Sequence, residues 1–358
     1  MKKIFITAIS VVLLLTAFSS TSFAQQKAKA EKGDDEDDSG YGNNGHSPGT
    51  WDAVIKEGEV NIQFYGRHWS NGRNFELSEL GTLPTDKIGG FTLSREAGKM
   101  VFKGVFQNHW GHGTYQFEEN AAFKSYLSQK GYTGLDDEMM QNVFFTDISK
   151  SYFDFLKTNG YPTISNGQFK DLAEQNISRK VLNDYFNLFK TEGYGHQSID
   201  KIVELREHGV NAKFVNSFRQ MGYTEKIPLD KALELRDHGV HPEFITSLQK
   251  MGYEKVSLDK AIDLRDHGVN TEFIASIQNM GYKNITLDKA QELRDHGVNP
   301  EFIKSIHALG FKELTLDKAQ ELRDHGVNAE FIKKMRDKGV KVQTLDDFIR
   351  LRDTGFSE

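Results

Sequence analysis

Five side chains in the first third of the sequence have the chemistry to bind a metal ion or a flat ligand. His68 and Trp69 are neighbours, and His109, Trp110 and His112 lie within four residues of one another. Histidine nitrogens ligate zinc, but a zinc site also needs a third ligand and an ordered second shell. Tryptophan rings near loops can stack on a sugar or an apolar ligand. We favour the simpler interpretation that these side chains cover the open edge of a small sheet, with ligand contact as the alternative.

The residues around these side chains alternate between apolar and polar. Val60, Ile62 and Phe64 are separated by polar residues, and similar alternation recurs as far as about Asn120. A period of two is typical of strands with one buried face. Turn sequences such as Ser70-Asn71-Gly72 separate the runs, and such short links favour antiparallel neighbours. The sequence therefore predicts an antiparallel β domain of about five strands, a small sheet or partial barrel, over residues 50–130.

The remainder of the chain repeats itself. A Leu-Arg-Asp-His-Gly-Val segment recurs with small changes, and its arginine returns after 30 residues once and then after 29 residues four times. The recurring arginines are Arg206, Arg236, Arg265, Arg294, Arg323 and Arg352. Periods of this length are typical of solenoids, in which small supersecondary units stack on their neighbours.

One unit shows why each repeat should contain two helices. Ser257 can cap the first helix, and Gly268 can take the left-handed conformation that ends it. Asn270 can cap the second helix, which should end at Gly281. Each helix has about nine residues, which is too short for stability alone, so the helices must pack against neighbouring units. The predicted fold is α+β and mostly α, a small antiparallel β domain followed by an α-solenoid of 29-residue two-helix repeats.

The repeat changes towards both of its ends. Residues 131–194 keep only a closing glycine and aromatic residue, as at Gly160-Tyr161, and are interpreted as diverged helical repeats. Residues 195–358 hold the regular repeats, and the segment from Leu345 to Gly355 should form a half-repeat that caps the stack.

Two polar residue types recur in every regular unit. The histidines His208, His238, His267, His296 and His325 fall at the end of the first helix, where we expect them to cap exposed carbonyls. The arginine falls inside the apolar arc, so we expect it to have a partner. For Arg265 the expected partner is Asp288 in the next unit or carbonyls beside it. An exposed arginine row that binds an anionic ligand is the alternative.

The amino-terminal residues predict export. Lys2 and Lys3 precede an apolar run and then small residues before Gln25, which is the order of a secretory signal peptide over residues 1–24. Its removal would change the formal net charge from −6 to −8. The run is short for a membrane anchor, so no stable span is expected after cleavage. Residues 25–49 are acidic and glycine-rich and should form a disordered linker. The expected location is periplasmic or secreted.

The segment Leu293-Arg-Asp-His-Gly-Val-Asn-Pro-Glu-Phe-Ile303 and its sister segments resemble a helical repeat of exported or membrane-linked bacterial proteins, largely uncharacterised. Some similar copies extend metallopeptidases of the beta-lactam sensor class. The resemblance covers Ile199 to Gly355 and implies no catalytic residue, because the His-Glu-x-x-His motif of those peptidases is absent here.

These patterns favour a non-enzymatic scaffold that binds an unidentified protein or envelope component. Neither a cofactor nor a metal is expected, and the acidic balance argues against nucleic acid. The positions that vary between units, where we expect contacts, are Leu233, Ile262, Gln291 and Gln320 on first helices and Thr246, Ala275 and Lys304 on second helices. The alternatives are a glycan- or peptide-binding β domain, a regulatory domain of an envelope-sensing system, and a hydrolase site between the domains.

Overall fold

A computed structural model describes residues 49–66 and 70–355, so the predicted signal peptide and linker lie outside the described residues, apart from Gly49. Residues 49–119 form one antiparallel sheet with the strand order β3-β2-β1-β6-β5-β4. The strands are β1 (Gly49–Lys56), β2 (Glu59–Tyr65), β3 (Ser70–Glu76), β4 (Gly89–Arg95), β5 (Gly98–Gln107) and β6 (Trp110–Glu119). The described chain thus has six strands where the sequence predicted about five.

One face of the sheet is buried and one is open. Trp51, Phe64 and Phe102 project from the inner face and are at most 1% exposed. The link between β3 and β4 contains the short helix α1 (Leu77–Leu80), whose Leu80 is also buried in the core. This arrangement follows from the period-two pattern, because alternate residues of a strand face opposite sides.

Sixteen longer helices follow in the described chain. They are α2 (Ala121–Gln129), α3 (Asp137–Thr146), α4 (Lys150–Thr158), α5 (Asn166–Glu174), α6 (Arg179–Glu192), α7 (Ile199–Glu207), α8 (Ala212–Gln220), α9 (Leu229–Asp237), α10 (Pro242–Lys250), α11 (Leu258–Asp266), α12 (Thr271–Asn279), α13 (Leu287–Asp295), α14 (Pro300–His307), α15 (Leu316–Asp324), α16 (Ala329–Asp337) and α17 (Leu345–Asp353). From α3 onwards they alternate as first and second helices of successive units, and α17 is an unpaired first helix. The predicted solenoid of two-helix repeats is confirmed.

Glycine ends the first helix of each regular unit. Gly268 has a φ of +67°, and the N–H of Val269 donates to the carbonyl of Leu264, 2.7 Å away. This is the bond expected when a left-handed residue closes a helix. Asn270 then caps α12 by accepting a hydrogen bond from the N–H of Phe273 at 2.8 Å. The local signals in the sequence therefore operate as predicted.

The diverged segment also consists of complete units. Asp147 and Asn176 take the place of the closing glycine, with φ values of +58° and +50°. Aspartate and asparagine are the non-glycine residues that most readily adopt this conformation. The next residue again donates back into the helix, as Ile177 does to the carbonyl of Leu172 at 2.9 Å.

The sheet and the stack share one hydrophobic core. Phe145 on α3 packs on Phe64 of β2 with ring centroids 4.9 Å apart, and Phe144 packs on Phe117 at 5.3 Å. The buried residues form a continuous cluster from Trp51 to Ile349. The sheet therefore covers the amino-terminal end of the solenoid.

Candidate functional site

The sheet register gives the positions of the described residues next to the candidate ligand contacts. Tyr65 and Ser70, which flank the β2–β3 turn, are paired with each other, and Tyr65 lies opposite Thr50 at the start of β1. Trp110 lies opposite Val54, towards the other end of β1. Four residues of a strand span about 13 Å, so Tyr65 and Trp110 lie well apart along β1. His68 and Trp69 themselves lie outside the described residues.

The second turn places its three candidates on the surface. Asn108 and His109 both have positive φ, 49° and 72°, which is the conformation of a tight two-residue hairpin. His112 lies two residues after Trp110 on β6 and therefore on the same outward face of the sheet. Within residues 49–66 and 70–355, there is no group of three or more His, Cys, Asp or Glu side chains that could hold a metal ion.

The recurring histidines bridge successive units. Each Nδ1 is hydrogen-bonded to a carboxylate oxygen of the aspartate that precedes the next histidine position. The pairs are His208–Asp237, His238–Asp266, His267–Asp295, His296–Asp324 and His325–Asp353. We call this series the histidine ladder. We expected these rings to cap carbonyls of their own helix. Instead, each ring bonds to an aspartate side chain across a unit boundary.

The hydrogen bond to aspartate raises the pKa of His238 and of His325, with nearby carboxylates adding to the effect. Both side chains are partly exposed, at 38% and 39%, so the ladder is a titratable feature of the surface.

From α7 onwards, a second ladder joins the lysine in the first turn of each first helix to the aspartate in the first turn of the next first helix. The pairs are Lys201–Asp230, Lys231–Asp259, Lys260–Asp288, Lys289–Asp317 and Lys318–Asp346. The aspartates are on the surface, with Asp288 80% exposed. These bonds set the register between units, although exposed ion pairs each contribute little stability.

The predicted arginine partner is wrong. Asp288 pairs with Lys260, and the guanidinium of Arg265 instead lies over the ring of Phe244 in the preceding unit, 5.2 Å from the ring centre. The physical reason is axial distance. Arg265 is six residues beyond Asp259, the counterpart of Asp288, and six residues of helix span about 9 Å. The arginine therefore lies at the opposite end of the first helix from the acidic series.

The other recurring arginines repeat this contact. Arg236, Arg294, Arg323 and Arg352 lie over Phe214, Phe273, Phe302 and Phe331. Arg236 Nη2 and Arg323 Nε also donate to the carbonyls of Gly209 and Gly297, at 2.9 and 2.8 Å. Arg206 donates through Nε to the carbonyl of Gln175 at 3.3 Å. These three arginines therefore bond to carbonyls of the preceding unit, whereas the carbonyls expected for Arg265 lay beside Asp288 in the next unit.

Sequence reasoning missed a tyrosine ladder. The tyrosine after each closing glycine donates its hydroxyl hydrogen to a backbone carbonyl just before the next first helix. The pairs are Tyr161–Gln197, Tyr194–Ile227, Tyr223–Val256, Tyr253–Ile285 and Tyr282–Leu314. The signal was the recurrence of the closing glycine and aromatic residue, as at Gly160-Tyr161, to which we assigned no contact between units. In the next unit Phe311 replaces the tyrosine and the ladder ends.

The positions that vary between units differ in exposure. Leu233 and Ile262 are only 7% and 5% exposed, so they belong to the core and not to a contact surface. Gln291 and Gln320 accept hydrogen bonds from Lys260 and Lys289 of the preceding units. The variable side chains of first helices therefore make contacts within the stack.

Second helices carry a different row, which we call the second-helix row. It consists of Asn216, Thr246, Ala275, Lys304 and Lys333, at equivalent places on α8, α10, α12, α14 and α16. Asn216 and both lysines are exposed, and Thr246 and Ala275 are half-buried. Within the part of the chain that the structure describes, neither lysine makes an ion pair.

Comparison of the chain with models of protein families, with curated proteins and with solved structures finds no match. Among the described residues, no helix is both long and apolar enough to cross a membrane.

Proposed function

We propose that this protein is an exported, non-enzymatic scaffold that binds a protein or envelope partner through the second-helix row. One observation carries the proposal. The recurring polar side chains of first helices bond to neighbouring units, whereas the second-helix row is exposed or half-buried and its residue type changes along the stack. Solenoids bind through extended surfaces of this kind.

The chemistry of the row indicates how a partner would be oriented. Asn216, Thr246 and Ala275 are neutral, and Lys304 and Lys333 add positive charge towards the carboxyl-terminal end. A partner with a neutral contact region and an acidic end would complement this gradient.

Photo-crosslinking in the envelope of the native cell tests this proposal. A crosslinking residue would replace Ala275 or Lys304 in the full-length chain, and the matched controls would replace Asp263 or Glu292 on the first helices of the same units. We expect one discrete crosslinked partner from the second-helix positions and none from the controls. Equal crosslinking from both helices, or none from either, would contradict the proposal.

Export is a separate part of the proposal and rests on the amino-terminal pattern. Mass spectrometry of the protein from the envelope fraction should find a chain that starts at Gln25. A chain that retains Met1 would count against export by signal cleavage.

A further inference from the structure

The outward face of the sheet has a row of polar side chains with an aromatic residue at each end. Asp52 on β1 lies directly between Gln63 on β2 and His112 on β6. Tyr65 follows Gln63 by two residues on β2, and Trp110 precedes His112 by two residues on β6. Each of them is a diagonal neighbour of Asp52, on opposite sides of it. Diagonal neighbours on one face are about 7–8 Å apart. These five side chains, which we call the Asp52 platform, therefore occupy one continuous surface across three strands.

Trp110 is open to solvent although its position is fixed. Its side chain is 65% exposed, whereas Trp51 on the inner face is 1% exposed. The preceding hairpin turn is held by a hydrogen bond from the N–H of Ile55 to the carbonyl of His109, 2.8 Å away. An indole offers a large apolar face and loses little conformational freedom on stacking, because its side chain has only two rotatable dihedral angles.

The polar side chains between the two aromatic residues supply complementary hydrogen-bonding groups. A carboxylate accepts, an amide both donates and accepts, and an imidazole does either according to its protonation. Burial raises the pKa of Tyr65, and the Asp52 carboxylate raises it further, so the phenol keeps its proton at neutral pH. At Gly72 a Cβ atom would lie 2.9 Å from Gln63 Oε1, so the glycine leaves room for this amide.

We infer that the Asp52 platform binds a neutral oligosaccharide, with one pyranose ring stacked on Trp110 and hydroxyl groups along the sugar chain bonded by Asp52, Gln63 and His112. A sugar ring has an apolar face of C–H groups and a rim of hydroxyls, and the platform matches both. A polyanion is disfavoured because Asp52 lies at the centre. A stable protein interface needs a larger and more apolar core than one tryptophan and one half-exposed tyrosine. The site is independent of the second-helix row.

Binding of cello-, chito- and malto-hexaose to the full-length chain tests this inference by calorimetry and tryptophan fluorescence. We expect at least one hexaose to bind and to change the fluorescence. Trp110→Ala should weaken that binding about tenfold, the scale of one lost aromatic contact. Trp110→Phe should keep part of the affinity, and Asp52→Asn should reduce it. Ile88→Ala is the matched control, because Ile88 is 66% exposed but lies outside the platform.

Three results would overturn the inference. They are the absence of binding by all three hexaoses at millimolar concentration, binding that Trp110→Ala leaves unchanged, and dissociation of a dimer by Trp110→Ala in sedimentation velocity. The last result would identify the face as a contact between copies. Equal melting temperatures of the variants and the parent would confirm that lost affinity reflects a lost contact and not unfolding.

Discussion

The hydroxyl of Tyr253 donates a hydrogen bond to the backbone carbonyl of Ile285, 2.5 Å away in the following unit. Ile285 lies just before the first helix of that unit, so the bond holds the link between units against the preceding second helix. The equivalent bond recurs at five unit boundaries in the described chain. Its regularity indicates that it contributes to the spacing of the stack.

Tyr253→Phe should lower the free energy of unfolding by about 1 kcal/mol, the usual net contribution of one hydrogen bond. The substitution is sterically mild, because Phe311 occupies the equivalent place in a later unit. Urea denaturation followed by circular dichroism measures the change. Tyr126→Phe is the control, since the Tyr126 hydroxyl makes no hydrogen bond within residues 49–66 and 70–355. Equal losses for both variants would refute a specific role for the ladder.

The sequence was sufficient to predict the helices and strands, but not which residues contact one another between them. Gly268 and Asn270 mark helix ends because their backbone and side-chain preferences are local, and the structure confirms both. Asp147 and Asn176 end helices in the same way, but aspartate and asparagine also occur in many other settings. The diverged units were therefore harder to recognise as complete.

Contacts across units depend on quantities that a helical wheel omits. The wheel placed Arg265 on the inward arc, but it contains no axial position, so the arginine was paired with the wrong end of the neighbouring helix. Alternation likewise predicted strands without their order. Only the order β2-β1-β6 shows that Tyr65 and Trp110 lie towards opposite ends of β1.

Arg265→Ala should cost only about 0.5–1 kcal/mol, the scale of an exposed cation–π contact. A double-mutant cycle with Phe244→Leu isolates this contact, and chemical denaturation of the four proteins gives the coupling energy. A loss of about 3 kcal/mol or more, the cost of stranding a buried charge, would instead indicate a buried partner that the stacking geometry does not contain.

The histidine ladder should make stability depend on pH above the ordinary histidine pKa of about 6.5. The folded-state pKa of His238 and of His325 lies above the ordinary value of 6.5, because each ring is hydrogen-bonded to aspartate. Their stabilising contribution is therefore complete below pH 6.5 and is lost as the pH rises through the folded pKa. The melting temperature should fall over this range.

The double variant His238→Gln/His325→Gln should show a smaller decrease, since glutamine bonds to aspartate without titrating. Scanning calorimetry at several pH values provides the measurement. An unchanged pH dependence in the double variant would show that other groups control it.

The fragment from Gly195 to Glu358 should fold alone as a helical protein, because its units contact mainly their neighbours. The cut removes α6, whose Tyr185 hydroxyl donates to the carbonyl of Val210 at 2.9 Å, and it exposes the buried Ile202 on α7. We therefore expect a cooperative melt by circular dichroism at a lower temperature than that of the full chain. A longer fragment from Asn166 keeps α5 and α6 and should recover part of this loss. A disordered spectrum for both fragments would mean that the stack requires the sheet to fold.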